Sequence, residues 1–204
     1  MGRVMPESGG GKGRPLSCER SRGPRGIGEG DRKSWDRGAN IFSDGSLLEN
    51  GNVGGGAFIV SSRGAEVVVE SKIGNVATVW DSEVTDMADG LARVRREKKV
   101  LILADSKAAI AAVRKAGRTG KARSRDLQRV VNVVVEIKEG RGGEVKLGWV
   151  KAHMGILGNE AADVLAKRAS ERVPVDDHEK WITGGGIRQW AKRRKQENVG
   201  EEGV

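Results

Sequence analysis

The chain has 204 residues, a formal net charge of +9, 31 glycines, no tyrosine and one cysteine, Cys18. That length suits one domain of ordinary size with tails. A single cysteine excludes a disulfide framework or a cysteine zinc site within the chain, and the absence of any run near 18 apolar residues excludes a helical membrane span.

Residues 1–38, rich in Gly, Arg, Ser and Pro, carry 9 basic and 5 acidic side chains. They hold too little apolar surface to offset the entropy of ordering, so they read as a disordered basic arm. No apolar stretch of a secretory signal is present in it, which leaves nucleus or cytoplasm as the expected compartment. Three prolines, Pro6, Pro15 and Pro24, precede residue 25 and the fourth is Pro174, so the interval between them outlines a folded unit over 39–173. Residues 174–204 form a linker and a basic tail, where "WITGGGIRQWAKRRKQE" suits a short amphipathic helix. The basic surplus favours polyanions but specifies no site.

"ANIFSD" is a short buried strand ending on Asp44, and the glycines 51–56 form a turn and the start of a second strand, "GAFIVSS". A tight turn at Ser62, Arg63 and Gly64 leads to a third strand, "AEVVVESKIG". Three strands without intervening helices pair antiparallel. The period then changes: Trp80, Val84, Met87, Leu91 and Val94 recur at helical spacing, with Arg93, Arg95, Arg96, Lys98 and Lys99 at the wet end.

"VLILAD" is a strand buried on both faces and ends on Asp105. Ser106 caps the helix "SKAAIAAVRKA". "RDLQRVVNVVVEIKEG" is helical because Leu127, Val130, Val131, Val134 and Ile137 keep that spacing despite the valines. "GEVKLGWVKAH" is a strand ending near His153, "MGILG" is a loop, and Asn159 caps the helix "NEAADVLAKRASE". The order is βββαβααβα, an α/β class.

Acids stand where apolar strands stop. If the first and fourth strands are neighbours, Asp44 and Asp105 lie side by side, an arrangement that costs energy unless a proton or cation intervenes. Asp163 sits among Ala161, Ala162 and Ala166, small residues that let its helix approach a sheet closely. On the first helix Asp81, Glu83, Asp86 and Asp89 compete for a fourth place, with Asp81 better suited to the helix N-terminus.

"IFSDGS", "VWDSE", "ILADSKAAI" and "GWVKAHMGILGNEAADVLAKRA", in this order and at these intervals, resemble ribonuclease H type 1, and in particular the ribonuclease H domain of eukaryotic non-LTR retrotransposon reverse transcriptases. The resemblance covers residues 39–173 and implies a ribonuclease H-like fold with a five-stranded mixed sheet whose first three strands are antiparallel. It also implies hydrolysis of the RNA strand of RNA/DNA hybrids, leaving a 5′-phosphate and a 3′-hydroxyl. Carried over by position, it assigns metal-binding and catalytic roles to Asp44, Glu83, Asp105 and Asp163 and a catalytic role to His153.

Four carboxylates can hold two Mg²⁺ ions about 4 Å apart, one activating water and one stabilising the leaving oxygen, with Mn²⁺ as a substitute. An imidazole with an ordinary pKa near neutrality suits His153 to proton transfer or product departure. RNA is told from DNA through the 2′-hydroxyl, for which Gly45 and Ser46 are candidates, and Asn159 is a further substrate contact if it is not simply a cap. The expected partner is an RNA/DNA hybrid, bound by a monomeric domain with no membrane and no organic cofactor. A polymerase is excluded because a palm domain needs an aromatic-x-Asp-Asp element, whereas Asp176 and Asp177 follow Val173, Pro174 and Val175.

Overall fold

The computed structural model describes residues 38–172 and 184–201. The arm expected over 1–38 lies, apart from Gly38, outside the described residues, as do 173–183 and 202–204. The elements are β1 (Ala39–Leu47), β2 (Val53–Val60), β3 (Glu66–Gly74), α1 (Val79–Val94), β4 (Lys99–Ala104), α2 (Lys107–Thr119), α3 (Arg125–Arg141), β5 (Glu144–Trp149), α4 (Leu157–Glu171) and α5 (Gly184–Glu201). The first nine follow the expected order. No helix among the described residues is long and apolar enough to cross a membrane.

One mixed sheet runs β3-β2-β1-β4-β5. β1–β2 and β2–β3 are antiparallel hairpin pairs, while β1–β4 and β4–β5 are parallel because helices carry the chain back between them. The main core holds Ile41, Ile59 and Ile102 from the sheet against Val84, Met87 and Leu91 of α1, with Ile110, Leu127 and Ile137 from α2 and α3. Burying each such side chain stabilises the domain by about 1.5–3 kcal/mol relative to leaving it exposed. A smaller cluster of Leu101, Leu103 and Val150 packs with Phe42 and Ile156.

Three consecutive glycines in β2 show how closely helices sit on this sheet. Cβ atoms at Gly54 and Gly56 would strike the backbone of α4 at Ala162, Ala166 and Ser170, while one at Gly55 would strike the carboxyl of Asp86 on α1. Alternation along a strand sends neighbours to opposite sides. The small residues around Asp163 therefore do what their size allows: α4 lies on strand backbone with no side chain between. Beyond the expected turn and strand start, this is the reason for the glycines.

The structure corrects three boundaries. β1 does not stop at Asp44 but continues to Leu47, with Asp44 opposite Gly56; what ends there is the parallel pairing with β4, whose last pair is Ser43 with Ala104. β5 ends at Trp149, and His153 lies in the following loop with a left-handed φ of 54°. Asn159 is not the N-cap of α4. That position belongs to Ile156, which offers no side-chain hydrogen bond, and Asn159 is a buried first-turn residue whose N–H donates to the Ile156 carbonyl at 2.8 Å.

Candidate active site

Local structure delivers one acid from each of three elements to one place. On α1 the N-terminus is fixed by a capping box, in which the Thr78 N–H and hydroxyl donate to Asp81 at 2.8 and 2.7 Å and the Asp81 N–H donates back to Thr78 at 3.3 Å. Asp81 thus serves the helix end, and Glu83 comes two residues later. Asp105 follows β4 directly; its carbonyl accepts the Trp149 indole N–H at 2.8 Å, and Ser106 caps α2 by accepting the Ala109 N–H at 3.2 Å. These bonds fix the turn that carries the Asp105 carboxylate.

One carboxylate oxygen from each of Asp44, Glu83 and Asp105 lies within 4.8 Å of the others. Among the described residues no lysine or arginine is ion-paired with any of the three. Burial, reinforced by the charges of Asp105 and Asp163, pushes Asp44 up to about 7, although the Gly45 N–H donates to it at 2.8 Å. Burial likewise pushes Glu83 up to about 7, the Ser106 hydroxyl opposing and Asp105 and Asp44 adding to the rise. Asp105 is raised by burial too, with its own backbone N–H and His153 opposing. Such a group binds either protons or cations.

Asp163 and His153 form a neighbouring group with Glu160, again with one ligand atom each within 4.8 Å. Asp163 accepts from Lys167 at 2.7 Å, and its charge reaches Asp44 and Asp105. Glu160 accepts the Gly155 N–H at 3.3 Å and lies 3.9 Å from His153 Nδ1, tying the His153 loop to the first turn of α4. The sequence reading did not single out Glu160, although its place three residues before Asp163 puts both on one helix face.

The four candidate acids of α1 separate clearly. Glu83 meets Asp44 and Asp105. Asp86 is fully buried against Gly55, neither carboxylate oxygen has a hydrogen-bond partner, and burial holds it well above the ordinary carboxylate range. Asp89 pairs with Arg129 at 2.5 Å. Gly45 packs against Val79 and Ser82 of α1, leaving no room for a side chain, and Ser46 accepts a 3.4 Å hydrogen bond from Ser170. Asn159 is buried, with its Oδ1 lacking a hydrogen-bond partner.

A five-stranded sheet of this order, with buried and half-buried acids converging from β1, α1 and the end of β4, defines the ribonuclease H-like class. The RNase H family model matches residues 36–171, and the chain belongs to the RNase H family. It is similar to the ribonuclease H of Campylobacter curvus, 28% identical over 144 residues that make up 65% of this chain and 92% of the relative. It is also similar to the ribonuclease H of Campylobacter jejuni, 25% identical over 143 residues that cover 69% and 96% of the two chains.

Proposed function

We propose that the chain is an endoribonuclease that hydrolyses the RNA strand of RNA/DNA hybrids. The observation that carries this reading is the convergence of Asp44, Glu83 and Asp105 with no lysine or arginine ion-paired to them among the described residues. Hard oxygen donors, two of them raised to about 7, fit a divalent ion such as Mg²⁺ or its substitute Mn²⁺. Asp44, Glu83, Asp105 and Asp163 would hold two such ions, whose chemistry is to acidify water and to stabilise the leaving oxygen of an in-line displacement at phosphorus.

The chain's own residues do the rest. The acids fix where the scissile phosphate sits. His153, whose exposed ring lies on a loop anchored through Glu160, would take or return a proton. Water oxygen bonds to phosphorus, the bond to the 3′ oxygen breaks, and a 5′-phosphate and 3′-hydroxyl result. The motif "GWVKAHMGILGNEAADVLAKRA" supports a domain of the non-LTR retrotransposon type.

The test is cleavage of a labelled RNA/DNA hybrid beside duplex DNA and duplex RNA, with Mg²⁺ and with chelator. Hybrid-only, Mg²⁺-dependent product is expected. Hybrid binding without product would instead identify a nucleic-acid-binding fragment that has lost its chemistry.

A further inference from the structure

The last helix lies beyond the matched family region, yet it is built onto the domain. Gly186 sits on the Val76 carbonyl with no room for a side chain, and Arg193 donates to the Asn75 carbonyl at 2.5 Å while its guanidinium covers Gly51. That docked face leaves the opposite face of α5 to solvent. Arg188, Lys192 and Lys195, at i, i+4 and i+7, form a row there, and all three are exposed.

Arg188 also stands at the rim of a cleft of about 940 Å³ between the start of α1, the outer face of α2, the α2–α3 connection and the start of α5. Trp80 and alanines of α2 line the cleft, and its cations are Lys115, Lys121, Arg123 and Arg188. Among the described residues its one acid is Asp81, which serves the capping box of α1. Asp81 and Ala108 line the cleft, and they lie close in sequence to Glu83 on α1 and to Asp105 at the end of β4.

We propose that α5 and this cleft form a track for a phosphodiester strand, extending the nucleic-acid contact of the domain beyond the acid cluster. The proposal rests on the nucleic-acid substrate inferred above. The row from Arg188 to Lys195 spans about 10 Å of helix, enough to meet two or three phosphates of one strand. A cleft lined by Trp80 and alanines together with Lys115, Lys121, Arg123 and Arg188 suits a strand that carries its charge on the phosphates and none on its sugars and bases.

The test is the salt dependence of binding of a labelled RNA/DNA hybrid to the full chain in chelator, by fluorescence anisotropy. Combined Arg188→Glu, Lys192→Glu and Lys195→Glu should weaken binding at least tenfold and flatten the slope of log Kd against log salt by about 2 to 3. The corresponding glutamine variant, milder for folding, should flatten it in the same direction. Arg95→Glu, Arg96→Glu and Lys98→Glu make the same charge change at the far end of α1 and should leave the slope close to that of the unaltered chain. An unchanged slope in both α5 variants overturns the track, as does an equal loss in the α1 control. If the unaltered chain binds hybrid with the expected α5 effect but yields no Mg²⁺-dependent product, the nuclease reading fails and the track stands. If it binds no nucleic acid, both fall.

Discussion

Two groups of acids lie along α1 and are treated in opposite ways. At Asp89 and Asp126 the protein supplies its own cation: Arg129 pairs with Asp89 at 2.5 Å and Asp126 at 2.7 Å, and the Thr85 hydroxyl donates to Asp126 at 3.0 Å. Burial raises Asp126, and those partners oppose the rise; for Arg129 burial acts downward, but its two carboxylate partners outweigh it and hold it raised. At Glu83, Asp44 and Asp105 no lysine or arginine among the described residues forms such a pair, and burial and repulsion from neighbouring acids raise all three. Acids that clip α1 to α3 are neutralised within the fold, whereas acids that need a cation from solution are not. Asp86, between the two groups, has no cation beside it among the described residues, and burial raises it well above the ordinary carboxylate range, with Ser71 opposing.

Removing one acid from the unneutralised group is the largest way to break the contrast. Asp105→Asn should lower hybrid cleavage on the order of 10³-fold, the scale of a lost charge-stabilising group. Its thermal midpoint in chelator should rise, because one source of repulsion is gone. Substantial residual turnover removes Asp105 from the site.

A paired comparison on α1 sharpens the same point. Glu83→Gln should cost hybrid cleavage roughly 10²-fold or more, while Asp86→Asn should leave turnover near that of the unaltered chain. Asp86→Asn should also flatten the alkaline side of the stability profile. A raised acid contributes stability that is full below its unfolded value and is lost as pH rises through its folded value, and the amide has no such loss. If the asparagine variant is the inactive one, the acid of α1 has been misassigned.

Arg129→Met tests the neutralised group. Leaving Asp126 buried without its cation should cost about 1–3 kcal/mol in urea unfolding, with hybrid turnover below the melting range little changed. A smaller, reversible effect comes from pH. In chelator the thermal midpoint should fall as pH rises from the ordinary values of Asp44 and Glu83, 3.8 and 4.5, to about 7. Mg²⁺ should raise the midpoint by a few degrees at pH 7.5 and by less at pH 5. A cation effect that does not grow with pH would separate metal binding from these carboxylates.

Much of this was readable before the fold was known, and the misses have physical reasons. Periodicity placed all five strands and the first four helices, and Leu127, Val130 and Ile137 of α3 are all buried despite the surrounding valines. The end of β1 was misread because Gly45 and Ser46 look like a turn, while pairing with β2 carries the strand past them. Asn159 looks like a cap, but the α4 start is set by the chain's exit from the His153 loop. Asp86 reads as a rival to Glu83 for the fourth acid, and only Gly55 on a distant strand makes room to bury it instead. The Arg129 clip joins residues 40 apart, beyond any local pattern.

The glycines under α4 have a further consequence. Since Gly54 and Gly56 bring strand and helix into main-chain contact, the separation between β2 and the helix bearing Asp163 equals the thickness of two polypeptide backbones. Rotamers cannot alter that dimension, and drift in core composition cannot retune it. The placement of Asp163 relative to the sheet that carries Asp44 therefore has the tolerance of peptide geometry rather than that of side-chain packing.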